Sequence, residues 1–160
     1  MYLNDKNVVI KGEPGGTLLK PLTAITIAVD TAYVVSQQGQ RINEGVYMMD
    51  NMEANGSEDE AQMELHTMCP VGSLIGFNAV PINALSSNKG TVEITGFTVS
   101  QGSVFTATGA PQKQDESGDY WIGQAVKAGS QTYQVQLKVT NGGLNPTPYY
   151  VNWDPFITAQ

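Results

Sequence analysis

A chain of 160 residues with a formal net charge of −7 and one arginine lacks the clustered cations that nucleic acid or an anionic membrane surface demands. Its hydrophobic share of 41% contains no run near the roughly twenty apolar residues of a membrane span, and one domain with its own core is expected. Charged residues are only 14%, which leaves an exterior of Gln, Asn, Ser and Thr suited to packing against further copies of the chain.

Residues 1–22 read as an N-terminal arm or extra strand. Asn7 to Lys11 has strand composition, and Gly12-Glu13-Pro14-Gly15-Gly16 is turn punctuation without the Gly-Lys-Ser/Thr ending of a phosphate loop. The start lacks the basic-then-apolar pattern of a Sec signal peptide, and the single cysteine, Cys69, has no internal disulfide partner. A cytoplasmic location is therefore expected.

Residues 23–160 read as a single β-sandwich domain. Ile25, Ile27 and Val29 alternate with Thr26 and Ala28, a period-two run of β-branched residues that predicts a strand. Tyr33, Val34 and Val35 follow before a Gln-rich loop. Val46 to Met49 and Gln62 to Met68 predict two strands around an acidic loop that turns at Asn55-Gly56-Ser57, with one helical turn expected near Asp59–Met63. Leu74 to Val80 is continuously apolar, as a central strand should be. Val92 and Ile94 alternate until Gly96 shifts the parity, which predicts a bulge. Val104 and Phe105 suggest a short strand, 111–119 a polar loop, and Tyr120 to Val126 another strand. The cleanest alternation is Tyr133, Val135, Leu137 and Val139 against Gln134, Gln136 and Lys138, and Tyr149 to Trp153 ends the series. No stretch has a 3.6-residue apolar period. The fold class is all-β with little helix, an antiparallel β-sandwich of jelly-roll type. Its expected core is Ile25, Ile27, Val29, Leu65, Phe77, Ile94, Tyr133, Val135, Leu137 and Val139.

Chemistry is sparse. His66 and Cys69 are the only histidine and the only cysteine. A strand-face imidazole and a packed thiol are the expected readings, and two ligands fall short of a structural zinc site. Counted from Asn51, the oxygen-bearing Asn51, Glu53, Asn55, Ser57 and Asp59 stand at alternate positions with Gly56 sixth, as in a calcium (Ca2+) loop. Gln62 at the twelfth position breaks that pattern, and a solvated acidic tip is the favoured reading. A sugar site would need a ring to stack on and amide or carboxylate partners for hydroxyls. Asp119, Tyr120 and Trp121 have that chemistry, as do Asn152, Trp153 and Asp154, though a strand Trp more often fills a core.

AITIAVDTAYVV, YMMDN, MELHTMCPVGSLIGFNAVPIN, VEITGF, YWIGQAVKAGSQTYQVQLKV and the closing YYVNWDPFI, taken in order, resemble the AidA/PixA inclusion-body protein family of bacteria from Ala24 to Ile157. The resemblance implies a small, quorum-regulated, host-associated protein that is not an enzyme, in some members a cytoplasmic inclusion. It implies self-association as a homo-oligomer, most simply a dimer. The alternative is a lectin-like module that binds glycans. Six methionines, five of them between Val46 and Met68, depart from a methionine-rich storage protein.

Overall fold

The computed structural model describes residues 20–83, 90–102 and 104–160. The expected strand at Asn7–Lys11 lies outside them. Among the described residues ten strands form two sheets: β1 (Thr23–Val29), β2 (Val46–Asp50), β3 (His66–Cys69), β4 (Leu74–Pro81), β5 (Thr91–Gly102), β6 (Gln112–Lys113), β7 (Tyr120–Gln124), β8 (Gly129–Thr140), β9 (Pro148–Trp153) and β10 (Phe156–Ala159). The first sheet runs β2-β1-β4-β7-β6. The second runs β3-β10-β8-β5, with β9 pairing β8 beyond the end of β10.

The mostly-β expectation with little helix holds, and all ten residues named for the core are buried. The two sheets supply one core: Ile25, Ile27 and Phe77 from the first join Ile94, Tyr133, Val135 and Leu137 from the second. On β1 and β8 the alternate residues turn outward, so the period of two decides which side chain leaves water, whereas β4 is buried on both faces at Leu74 to Phe77. The parity shift at Gly96 is also present, as a register break between Ile94 and Gly96 against β8.

Several local expectations fail, among them the polar loop at 111–119, where Gln112 and Lys113 form β6 against β7. The ladders β1/β4 and β3/β10 are parallel, while the other ladders among the described residues are antiparallel as expected. Tyr33, Val34 and Val35 belong to a helix, α1 (Thr31–Ser36), whose N-cap Asp30 accepts a hydrogen bond from Tyr33 N–H. Asn83 Oδ1 accepts from Thr31 N–H at 2.9 Å and closes the same end. Capping thus overrides the β-branched composition. The helical turn falls at Glu53–Asn55 as a 3-10 turn, and Asp59 and Ala61 instead take positive φ. Val104 and Phe105 are fully buried but lie in a loop.

Candidate functional site

Among the described residues β9 pairs only with β8, and its other edge borders a cleft of about 820 Å³. The far wall is the Gly39–Glu44 loop, and the floor includes Val46, Tyr47 and the 61–64 stretch that bridges back to β2. Arg41, Glu44, Glu64 and Asp154 give this cleft mixed charge with an acidic excess. Tyr33 O–H donates to Glu44 Oε1 at 2.9 Å, and that hydrogen bond holds the phenol above its usual range. Around the corner, Asp59, Glu64, His66, Asp154 and Phe156 line a smaller dent of about 260 Å³.

The six residues expected to bind sugar are divided by the fold. Asp119, Tyr120 and Trp121 sit on or beside β7 of the first sheet, whereas Asn152, Trp153 and Asp154 end β9 of the second. Only the second trio lines the cleft. Both tryptophans are engaged in packing. Trp153 is 8% exposed and donates its indole N–H to Met48 Sδ at 3.1 Å. Trp121 donates to the Gly118 carbonyl at 3.0 Å and lies against Phe97, with 5.4 Å between ring centroids. Tyr120 belongs to a small apolar cluster with Leu74 and Ile122, where burial raises its phenol above the usual range. Asp119 Oδ1 accepts from Ser117 Oγ at 2.7 Å.

The four expected calcium ligands do not converge on one cavity. Asn51 Oδ1 accepts from Ala24 N–H at 2.8 Å and its Nδ2 donates to the Leu22 carbonyl at 3.0 Å, so its amide extends the β1/β2 pairing. Glu53 and Asn55 are exposed on the 3-10 turn, and Asp59 faces the dent beside His66. Among the described residues no group of three or more His, Cys, Asp or Glu side chains is placed to hold a metal ion.

His66 and Cys69 lie on opposite faces of β3, as a three-residue spacing on a strand requires. The imidazole Nε2 is 2.8 Å from Thr158 Oγ1, while the thiol is buried and burial pushes it up to about 11. A protonated, sequestered thiol is a poor nucleophile.

An acid pair escaped the sequence reading. Asp50 N–H donates to Glu60 Oε2 at 2.9 Å, and Asp50 Oδ1 accepts from Met52 N–H at 2.8 Å. The remaining oxygens, Asp50 Oδ2 and Glu60 Oε1, are closed off from solvent and no donor faces them. The Glu60 carboxyl in its protonated form supplies that donor. Desolvation, with the neighbouring Asp50 and Glu53 carboxylates, raises Glu60 to about 7. The signal available in sequence was the absence of any Lys or Arg between Arg41 and Lys89 to neutralise these acids.

The pair makes stability depend on pH. Because the folded value lies above the ordinary one of 4.5, Glu60 contributes fully below that pH, and the contribution is lost as pH rises through about 7. Glu60→Gln places a permanent donor there. Its melting temperature should match that of the native protein near pH 5 and exceed it by roughly 2–4 °C near pH 8, which corresponds to about 1 kcal/mol. Parallel melting profiles for the two proteins would contradict the raised Glu60 carboxyl.

The sequence profile of the family described as Domain of unknown function (DUF8788) matches residues 22–145, which span β1 to β8. No curated protein matches the chain. Among solved structures, the inclusion body protein PixA from Burkholderia cenocepacia J2315 is similar, with a TM-score of 0.67 over 86% of this chain and 94% of that one, at 14% identity. Identity that low carries the fold alone.

Proposed function

This chain belongs to the family described as Domain of unknown function (DUF8788), and from that membership and its fold we propose a non-enzymatic, self-associating β-sandwich protein of the inclusion-body type. The observation that carries this reading is the likeness to PixA across 86% of the chain, in a molecule whose histidine and cysteine point away from each other. Jelly-roll character, AidA/PixA identity, cytoplasmic inclusions and host association are the finer parts of the same proposal. Among the described residues no helix is long and apolar enough to cross a membrane. Sedimentation at micromolar concentration should give a species heavier than one chain, most simply a homodimer. A strictly monomeric result removes the proposal.

The cleft beside β9 favours glycan binding as the second reading. Asn152, Asp154 and the exposed Tyr150 supply amide, carboxylate and a ring at one edge. A glycan array with and without calcium separates the two readings. Melting curves in chelator, magnesium and calcium test the acidic loop separately. A calcium-specific rise abolished by Asp59→Asn would establish a metal site, and equal responses to both cations would retire it.

A further inference from the structure

The outer face of the second sheet has the make-up of an interface. Gln136 Nε2 donates to Thr98 Oγ1 and to Gln134 Oε1, each at 3.1 Å, so its central polar side chains are already tied down. Groups fixed in this way lose little further freedom on association. Two aromatic side chains stand out of that polar field. Tyr150 is 64% exposed and opposite Lys138 in register, and Phe156 is 44% exposed with its ring edge-on to His66 at 5.5 Å. Large exposed rings within a polar surround are the usual anchors of protein interfaces.

Charge selects the occupant. A net charge of −7 disfavours contacts between like-charged acidic patches of two copies, but this face carries both signs. Lys138 sits at one end of β8 opposite Glu93, and Asp154 lies at the level of Gln134, whose amide reaches it at 3.5 Å. Those two levels are four residues apart along β8, about 13 Å. A two-fold axis near Gln136 exchanges them and sets each lysine over the other copy's acidic dent. The size is of the right order. β5 and β8 have twelve residues each, β9 and β10 together add ten along one edge of β8, and β3 adds four, so at about 3.3 Å per residue and about 4.8 Å between strands the face offers roughly 600 Å² before side chains add to it. A stable interface needs about 800 Å² per partner.

We propose that two copies of this chain pair through the outer face of the second sheet about a two-fold axis, with Tyr150 and Phe156 as anchors and Lys138 of one copy against Asp154 of the other. This rests on the self-association reading above and names its surface. Sedimentation equilibrium of the full chain tests it. Tyr150→Glu and Phe156→Glu should each weaken dimerisation at least about thirtyfold, with melting temperatures showing that the variants fold. If either glutamate variant misfolds, the serine variant at that position replaces it. Lys138→Asp and Asp154→Lys should each weaken the dimer, and the double variant should restore it. A monomeric native protein overturns the self-association reading along with this one. A dimer indifferent to the aromatic variants, or a charge swap that fails to restore pairing, overturns this surface alone.

Discussion

Truncating Phe77 to alanine costs about 3–5 kcal/mol of folding stability. The residue lies on β4, the middle strand of the first sheet, and none of its surface reaches solvent. Its ring centroid is 4.7 Å from that of Phe97, 5.8 Å from Tyr133 and 6.4 Å from Phe105, so it joins both sheets and the 104–110 loop in one contact group. Removing the ring deletes buried apolar area and leaves a cavity. The neighbours cannot fill it, because Tyr133 and Phe105 are themselves fully buried and held from other directions. Urea unfolding measures the loss, with exposed Met49→Ala as the reference. Equal losses at the two positions would mean that the sheets do not share this core.

The parts of the fold legible in the sequence are those governed by a local period. β8 alternates without interruption for ten residues, and every odd position from Gln131 to Val139 is buried. Gly96 announced its bulge because a parity change needs no tertiary information. What eluded the sequence depends on distant partners. Whether β4 lies parallel to β1 is a matter of which strand arrives beside it, and no residue in either strand encodes direction. Helix α1 is six residues long, too short for a period, and is fixed by Asp30 and by Asn83 from 52 residues away. The same distinction runs through the cleft. Trp153 has the chemistry of a ligand group with Asn152 and Asp154, yet the alternation of Tyr150, Val151, Asn152 and Trp153 places the tryptophan on the inward side, the core position more usual for a strand Trp, and Tyr150 on the outward one. The facing of Asp50 and Glu60 depends on the path of the loop between them, and loop paths have no period to read.

Gly109→Ala costs at least about 3 kcal/mol, although adding a methyl at a glycine with ordinary φ normally stabilises slightly. Gly109 N–H donates to the Phe105 carbonyl at 2.9 Å, and the Gly109 carbonyl accepts from Gln124 N–H at 2.9 Å. These bonds press the 104–110 loop onto β7. A Cβ at this position would overlap the carbonyl oxygens of Gln124 and Phe105. Backbone cannot rotate aside as a side chain does, so the loop must lift. Lifting it withdraws Val104 and Phe105 from the core and breaks the bond from Phe105 N–H to Gln131 Oε1 at 2.8 Å, which leaves a buried amide without its donor. Gly96→Ala provides the contrast, since there the nearest obstacle is Gln136 Oε1 at 2.9 Å, a side-chain end that can yield at the cost of its hydrogen bonds to Thr98 and Gln134, not backbone. Chemical denaturation should therefore rank Gly109→Ala far below Gly96→Ala, and limited proteolysis should cut the Gly109 variant first within 104–110. Equal stability of the two variants would show that the loop is not fastened to the core in this way.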